Sequence, residues 1–223
     1  MRPLVSVAGA VTLVVLGCAK PAERWPGAKS EIEKSLAKIE NKLTRRLFNG
    51  KTTEGWAGEG LFWVKNGTLV VAGYRTTSAI TSKKEWQAAD WDNMLWAFDF
   101  AYEGYGYPAL EILSTDADGN QHTTECGLLG PGRIKGEQRV TRWTHVVGRT
   151  ETESSKRFFC LEFHFETGGK GSLRHELPVA VKRRIRFSAK PHGNRAKWDG
   201  TPKTVGGWLN AGGRLLLRNI QSN

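Results

Sequence analysis

Glu162, His164 and Glu166 occupy alternate positions in the run Phe158 to Glu166, and Phe159, Leu161, Phe163 and Phe165 occupy the positions between them. Successive side chains of a strand point to opposite faces, so the three polar groups share one wet surface above an apolar one. A carboxylate, an imidazole and a second carboxylate on one face could relay protons or hold a cation, while the plainer reading is a solvated strand face. A second chemistry is stacking: a pyranose ring lays its C–H face on an aromatic plane while polar neighbours fix its hydroxyls. Trp86 and Trp91, at the ends of the loop-like segment Glu85 to Asp92, and Tyr105 and Tyr107 beside them are the aromatic residues placed for that role. With nine tryptophans in the chain most must pack in a core, and core packing competes with stacking for each of these.

A third chemistry is acylation of a thiol. Arg2 precedes an apolar stretch from Pro3 to Leu16, broken only by Ser6 and Thr12, which closes on Val15-Leu16-Gly17-Cys18. A spanning helix needs roughly 20 apolar residues, so this stretch is too short; a positive start, a short apolar region and a small residue before the cut describe an export signal. Gly17 beside Cys18 fits a lipobox, with diacylglycerol on the Cys18 thiol and cleavage just before it. The expected organisation is a signal at 1–17, a Pro- and Gly-containing tether at 18–29, a helix at 30–47 and one domain at 48–223. Cys126 and Cys160 lack Cys-x-x-Cys or His partner spacing, so no metal and no cofactor is expected. In an oxidising compartment they form either a disulfide or two separate thiols.

The formal charge of +11 suits anionic lipid, acidic glycan or simple solubility; nucleic acid ranks last for an exported protein. The dense basic cluster Lys182-Arg183-Arg184 with Arg186 reads as a solvated strand or loop. Ser30 with Glu33 forms a capping box, and Ile32, Leu36, Ile39 and Leu43 recur at helical spacing up to the Asn49-Gly50 turn signal. Beyond it the chain reads as all-β. Leu61 to Val64 and Thr68 to Val71 flank Asn66-Gly67, a hairpin signature. In Asn93 to Tyr102 the aromatic residues Trp96, Phe98, Phe100 and Tyr102 line one face. Further strands are expected at 109–115, 123–129, 142–149, 157–166, 184–189 and 214–220, a spacing that suits a sandwich. Residues 191–213 read as a long loop anchored by Trp198 and Trp208.

Several phrases together resemble the 3-keto-disaccharide hydrolase family, also known as domain of unknown function 1080. Leu47-Phe48-Asn49-Gly50-Lys51 leads to Gly55-Trp56, and Phe62-Trp63-Val64-Lys65-Asn66-Gly67-Thr68-Leu69 continues in register. Leu110-Glu111-Ile112-Leu113, Cys126-Gly127-Leu128-Leu129-Gly130, Arg142-Trp143-Thr144-His145-Val146-Val147 and Leu217-Arg218-Asn219-Ile220 carry it to the C-terminus. The resemblance implies a concanavalin A-like jelly-roll sandwich of two antiparallel sheets, here preceded by one N-terminal helix. It also implies activity on glycosides whose ring carries a 3-keto group, which makes the C2 proton acidic and eases loss of the aglycone. Glu111 stands at the family's glutamate position. Asp116, five residues on, is the second candidate catalytic carboxylate, with Tyr105, Tyr107, Trp86, Trp91, His164 and Glu162 as candidate substrate-binding residues. The chain departs from the family at Leu113, where a glutamine is usual, and at Glu103 to Tyr107, where an Asn-Ser-Gly segment is usual.

Three functions follow as expectations for a lipoprotein of the cell envelope, facing the periplasm or on the surface and membrane-anchored through its lipid. One is hydrolysis or elimination of 3-keto-glycosides. Another is non-catalytic carbohydrate binding, and a third is a structural role on anionic envelope polymer. Intact-mass analysis of the membrane-extracted protein should show a chain that starts at Cys18 and carries acyl mass, and Cys18→Ala should release it from the membrane.

Overall fold

A computed structural model describes residues 37–39, 41–74, 76–104, 106–128, 140–165, 169–191 and 213–223. The sandwich occupies the unit Ile39–Asn223. The signal, Cys18 and the tether lie outside the described residues, as do Tyr105, Glu166, Trp198 and Trp208. Among the described residues no helix is long and apolar enough to cross a membrane.

Among the described residues fourteen strands form two antiparallel sheets. The first runs β12 (Lys170–Leu177), β11 (Lys156–Phe165), β10 (Val140–Glu153), β7 (Leu95–Gly104), β14 (Gly213–Ser222), β4 (Thr68–Gly73) and β3 (Leu61–Lys65), with β1 (Arg45–Arg46) against β14. The second runs β2 (Trp56–Glu59), β5 (Ser78–Ser82), β13 (Lys182–Lys190), β8 (Tyr107–Thr115) and β9 (Gln121–Gly127), with β6 (Trp86–Gln87) against β13. Asn66 and Gly67 both take positive φ, 49° and 75°, and turn β3 directly into β4, as Asn-Gly predicts.

Alternation along the strands builds the core. Trp96, Phe98, Phe100 and Tyr102 of β7 face inward and are all buried, as their spacing predicts. They meet Leu110 and Ile112 of β8 and Ile185, Phe187 and Ala189 of β13. Phe98 and Phe187 pack edge to face across the two sheets, with centroids 5.0 Å apart. Such a pair adds about 0.5–1.5 kcal/mol beyond area burial.

Two expectations are corrected, a third is refined, and an open pair of alternatives is decided. The helix expected over 30–47 does not reach Leu47: residues 41–42 turn, Arg45 and Arg46 pair with Ser222 and Gln221, and the Leu47 N–H donates to the Ile220 carbonyl at 2.8 Å. Strand pairing buries Phe48 in the core, and this tertiary gain outweighs the local helical stripe. Residues 86–91 are not an exposed loop but β6 followed by a one-turn helix, α1 (Ala88–Trp91), whose entry is held by the Gln87 N–H on the Asp90 carboxylate at 3.3 Å. The basic cluster is on a strand, β13 at the centre of its sheet, with Lys182, Arg184 and Arg186 on the half-exposed outer face; Arg183 alone departs from a solvated strand and points inward, donating to Ser114 Oγ and the Pro178 carbonyl. Cys126 and Cys160 are separate buried thiols, one in the core and the other on the outer face of the first sheet.

The sheets approach most closely where β4 crosses β13. A Cβ on Gly73 would lie 2.0 Å from the Ala189 carbonyl oxygen, a backbone atom with no room to retreat. Gly73→Ala should therefore cost about 1–3 kcal/mol, the usual range for overpacking, as a lower midpoint in urea unfolding.

Candidate functional site

The outer face of the second sheet gathers charge around Glu111. Leu110 and Ile112 point into the core, so Glu111 between them points out, opposite Glu125 of β9 on one side and Arg186 of β13 on the other. Its neighbours Ala109 and Ser188 are small and buried, which leaves Glu111 at the base of the face with only 4% exposure. A hydroxyl and two cations gather at its carboxylate. The Ser188 hydroxyl donates to Oε1 at 2.7 Å, Lys190 Nζ approaches the same oxygen at 3.0 Å, and Arg186 Nε stands 3.5 Å from Oε2.

Lys190 also donates to Glu125, so a single ammonium joins two carboxylates from adjacent strands. Burial opposes the Lys190 charge, but hydrogen bonds to Glu125 and Glu111 outweigh it and hold its pKa above the ordinary lysine value. Arg186 extends the cluster outward through a hydrogen bond to Glu59 at 3.2 Å. Tyr107 closes one side. Its ring crosses Gly127 so tightly that a Cβ there would lie 2.1 Å from the hydroxyl. Burial first, and then the Glu125 charge, push its pKa up, so the hydroxyl stays a donor through neutral pH.

The structure brings Glu111 and Tyr107 to one face and separates the other candidates from them. Asp116 lies in the turn after β8, about 17 Å along the strand by the ~3.4 Å rise per residue. There its carboxylate accepts from the backbone N–H groups of Asp118 and Asn120, from the Asn120 side chain and from His122. Asp116 shapes a hairpin turn, and the carboxylate beside Glu111 is Glu125. Trp86 and Trp91 are 3% and 1% exposed and pack with Trp96 and Phe159, so neither offers a free stacking plane. Among the described tryptophans the exposed one is Trp63, on the first sheet. Glu125 sat in a predicted strand, and its position immediately before inward-facing Cys126 was the signal that it points outward.

Glu162 and His164 lie on the outer face of the first sheet, across the sandwich from Glu111. A row of charge crosses that sheet at one register: Lys170, His164, His145, Asp99 and Arg218. Asp99 is the one charged residue in the run Leu95 to Tyr102, a signal the sequence offered. His145 Nδ1 donates to it at 2.7 Å, the Asn219 amide at 2.8 Å and Arg218 Nε at 3.1 Å. A bulge between Arg218 and Gln221, with Asn219 at φ 53°, lets two consecutive side chains reach the same carboxylate. Burial opposes ionisation of Asp99, but these donors together hold its pKa below the ordinary value. Arg218 also lies over the Trp143 ring at 3.9 Å. His145 Nε2 and both ring nitrogens of His164 are buried without a hydrogen-bond partner among the described residues. The same residues contain no group of three or more His, Cys, Asp and Glu placed to hold a metal.

No family model matches the chain. No curated protein matches it in sequence. Among solved structures, the seed lectin of Lotus tetragonolobus aligns over 81% of this chain and 97% of its own at 9% identity, with a TM-score of 0.53. Basic winged bean lectin, solved with Tn-antigen, aligns over 81% and 95% at 12% identity with a TM-score of 0.49. Porphyranase B of Zobellia galactanivorans aligns over 82% and 92% at 10% identity with a TM-score of 0.41. At such identity the likeness is one of fold: the chain is a concanavalin A-like jelly roll of the legume-lectin kind.

Each sheet carries its own titration. On the first, burial, then Lys170 and His145, hold the His164 pKa below its ordinary value against the pull of Glu162, with Asp99 one strand further on. An unfolded imidazole binds its proton near ~6.5, so below that pH the unfolded chain takes up protons that folded His164 refuses, and stability falls as pH drops. On the second, hydrogen bonds from His122 and Asn120 hold Asp116 at about 2, a contribution present above the unfolded carboxylate value of ~3.9 and lost toward pH 2. His164→Gln should flatten the loss of urea midpoint between about pH 7 and about pH 5.5 and leave the loss below about pH 4 intact.

Proposed function

We propose that this protein is a carbohydrate-active lipoprotein of the cell envelope that acts on 3-keto-glycosides at the Glu111 face. One observation carries the reading. Glu111, at the position that the family resemblance marks, shares the Lys190 ammonium with Glu125 on the neighbouring strand. Cleavage by elimination needs a base for the C2 proton, a cation near the C3 oxygen as the enolate forms, and a proton for the departing aglycone oxygen. Two carboxylates and a lysine on adjacent strands supply groups of these kinds. Water then adds at C1 and the double bond takes its proton back, which completes hydrolysis. Tyr107 beside them contributes a donor and an aromatic edge for the ring. The lectin-like fold supports the carbohydrate part of the reading, since the aligned Lotus tetragonolobus seed protein is a lectin.

A second reading, binding without turnover, draws on the same cluster. Glu111 is nearly sealed, held by Ser188 and Lys190 and flanked by the Arg186 charge, which suits a fixed platform for hydroxyls. Leu113 in place of the family's glutamine points the same way. The measurement is turnover of a 3-keto-glycoside beside binding of its unoxidised parent. On the catalytic reading Glu111→Gln and Glu125→Gln each lower kcat by about 10²-fold or more, the usual worth of a positioned acid or base, with smaller changes in KM. Wild-type binding of both sugars with no product would establish the second reading, and Glu111→Gln at full kcat would remove this face from the chemistry.

A further inference from the structure

The first sheet carries a groove that the Glu111 face does not use. It lies across the outer surfaces of β10, β11 and β12, encloses about 640 Å³ and is lined by Arg149, Glu151, Glu162, Lys170, Ser172 and Arg174 among others. Its volume is that of a small-ligand site, roughly 300–1,000 Å³. We propose that this groove is a second binding site, for a small polyhydroxylated carboxylate of the uronic-acid type whose acid group sits on Lys170.

Two of the three cations along this rim are held in ion pairs, and the third is not. Arg149 donates to Glu151 at 2.8 Å and to Glu162. Arg174 pairs with Glu153, stands 3.7 Å from Glu151 and stacks on the Phe158 ring at 3.6 Å. These pairs fix donors and acceptors in alternation along the groove, an arrangement that hydroxyl groups can join without displacing any ion pair. Lys170, by contrast, pairs with no carboxylate among the described residues, although it is exposed at the groove's end. Its register partner is His164, whose ring nitrogens find no hydrogen-bond partner there and whose protonation the lysine charge discourages. A cation that no carboxylate holds, beside a run of ion pairs already formed, favours a ligand with one negative group and several hydroxyls. The site is on the opposite sheet from Glu111 and is independent of the reading above.

Methyl glucuronide and methyl glucoside titrated into the full chain, with the histidine rings followed by NMR, test this directly. The expected result is binding of the glucuronide over the glucoside, weakened by added salt and by about tenfold or more in Lys170→Met. Saturation should also raise the His164 pKa, because the ligand carboxylate offsets the lysine charge; a lysine serving only solubility would not couple to that ring. Lys170 is exposed, so its substitution should leave the fold intact, checked by an unchanged urea midpoint. Equal affinity for the two sugars, full affinity in Lys170→Met, or an unmoved His164 titration on saturation would each overturn the proposal.

Discussion

The packing of two inner faces against one another is the interaction on which the rest depends. Phe98, Phe100 and Tyr102 from one sheet, and Phe187, Ile112 and Leu110 from the other, exclude water from the middle of the molecule. Burying a side chain of this size is worth about 1.5–3 kcal/mol, and no ion pair on the surface approaches that sum. Because every strand alternates, committing one set of residues to this interior commits the other set to the outside. The outer faces therefore inherit their register from the core. Glu111 sits opposite Glu125 and Arg186 because Ile112, Ile185 and their neighbours must face inward.

The glycines show how closely the two sheets were fitted. Gly73 lets β4 lie against the Ala189 carbonyl, and Gly106 and Gly213 make room for the Tyr102 hydroxyl, with a Cβ at either position falling within 2.5 Å of it. Tight approach at that end leaves the sheet surfaces to carry polar groups. The two surfaces then diverge in character. One concentrates carboxylates around two cations at a small-residue base, whereas the other spreads a row of titratable groups over five strands beside a groove of paired ions.

Polar groups on such faces are expensive to bury unless partnered, and the molecule follows that rule with instructive exceptions. Asp99 gathers three donors, one supplied by a bulge that turns Asn219 toward it. Glu111 gathers a hydroxyl and two cations. His145 Nε2 and both ring nitrogens of His164 have no hydrogen-bond partner among the described residues, and Lys170 beside them pairs with no carboxylate there.

Periodicity, turn chemistry and local phrases made much of this legible in the sequence. Alternation in Asn93 to Tyr102 identified β7 and its inward aromatics, Asn66-Gly67 identified a hairpin, and the two-sheet class followed from strand spacing. Glu111 was singled out because the family resemblance marks its position, and Tyr107 because an aromatic residue beside that strand suits a sugar ring. The sequence could not reveal that Trp86 and Trp91 are core, since burial depends on which distant strands cover a residue: Trp96 and Phe159 are the ones that do. Nor could it pair Glu111 with Glu125 in place of Asp116, or set Glu162 and His164 on the other side of the molecule. Spacing along a chain decides which face of a strand a side chain takes, but only the pairing of strands far apart in sequence decides what it meets there.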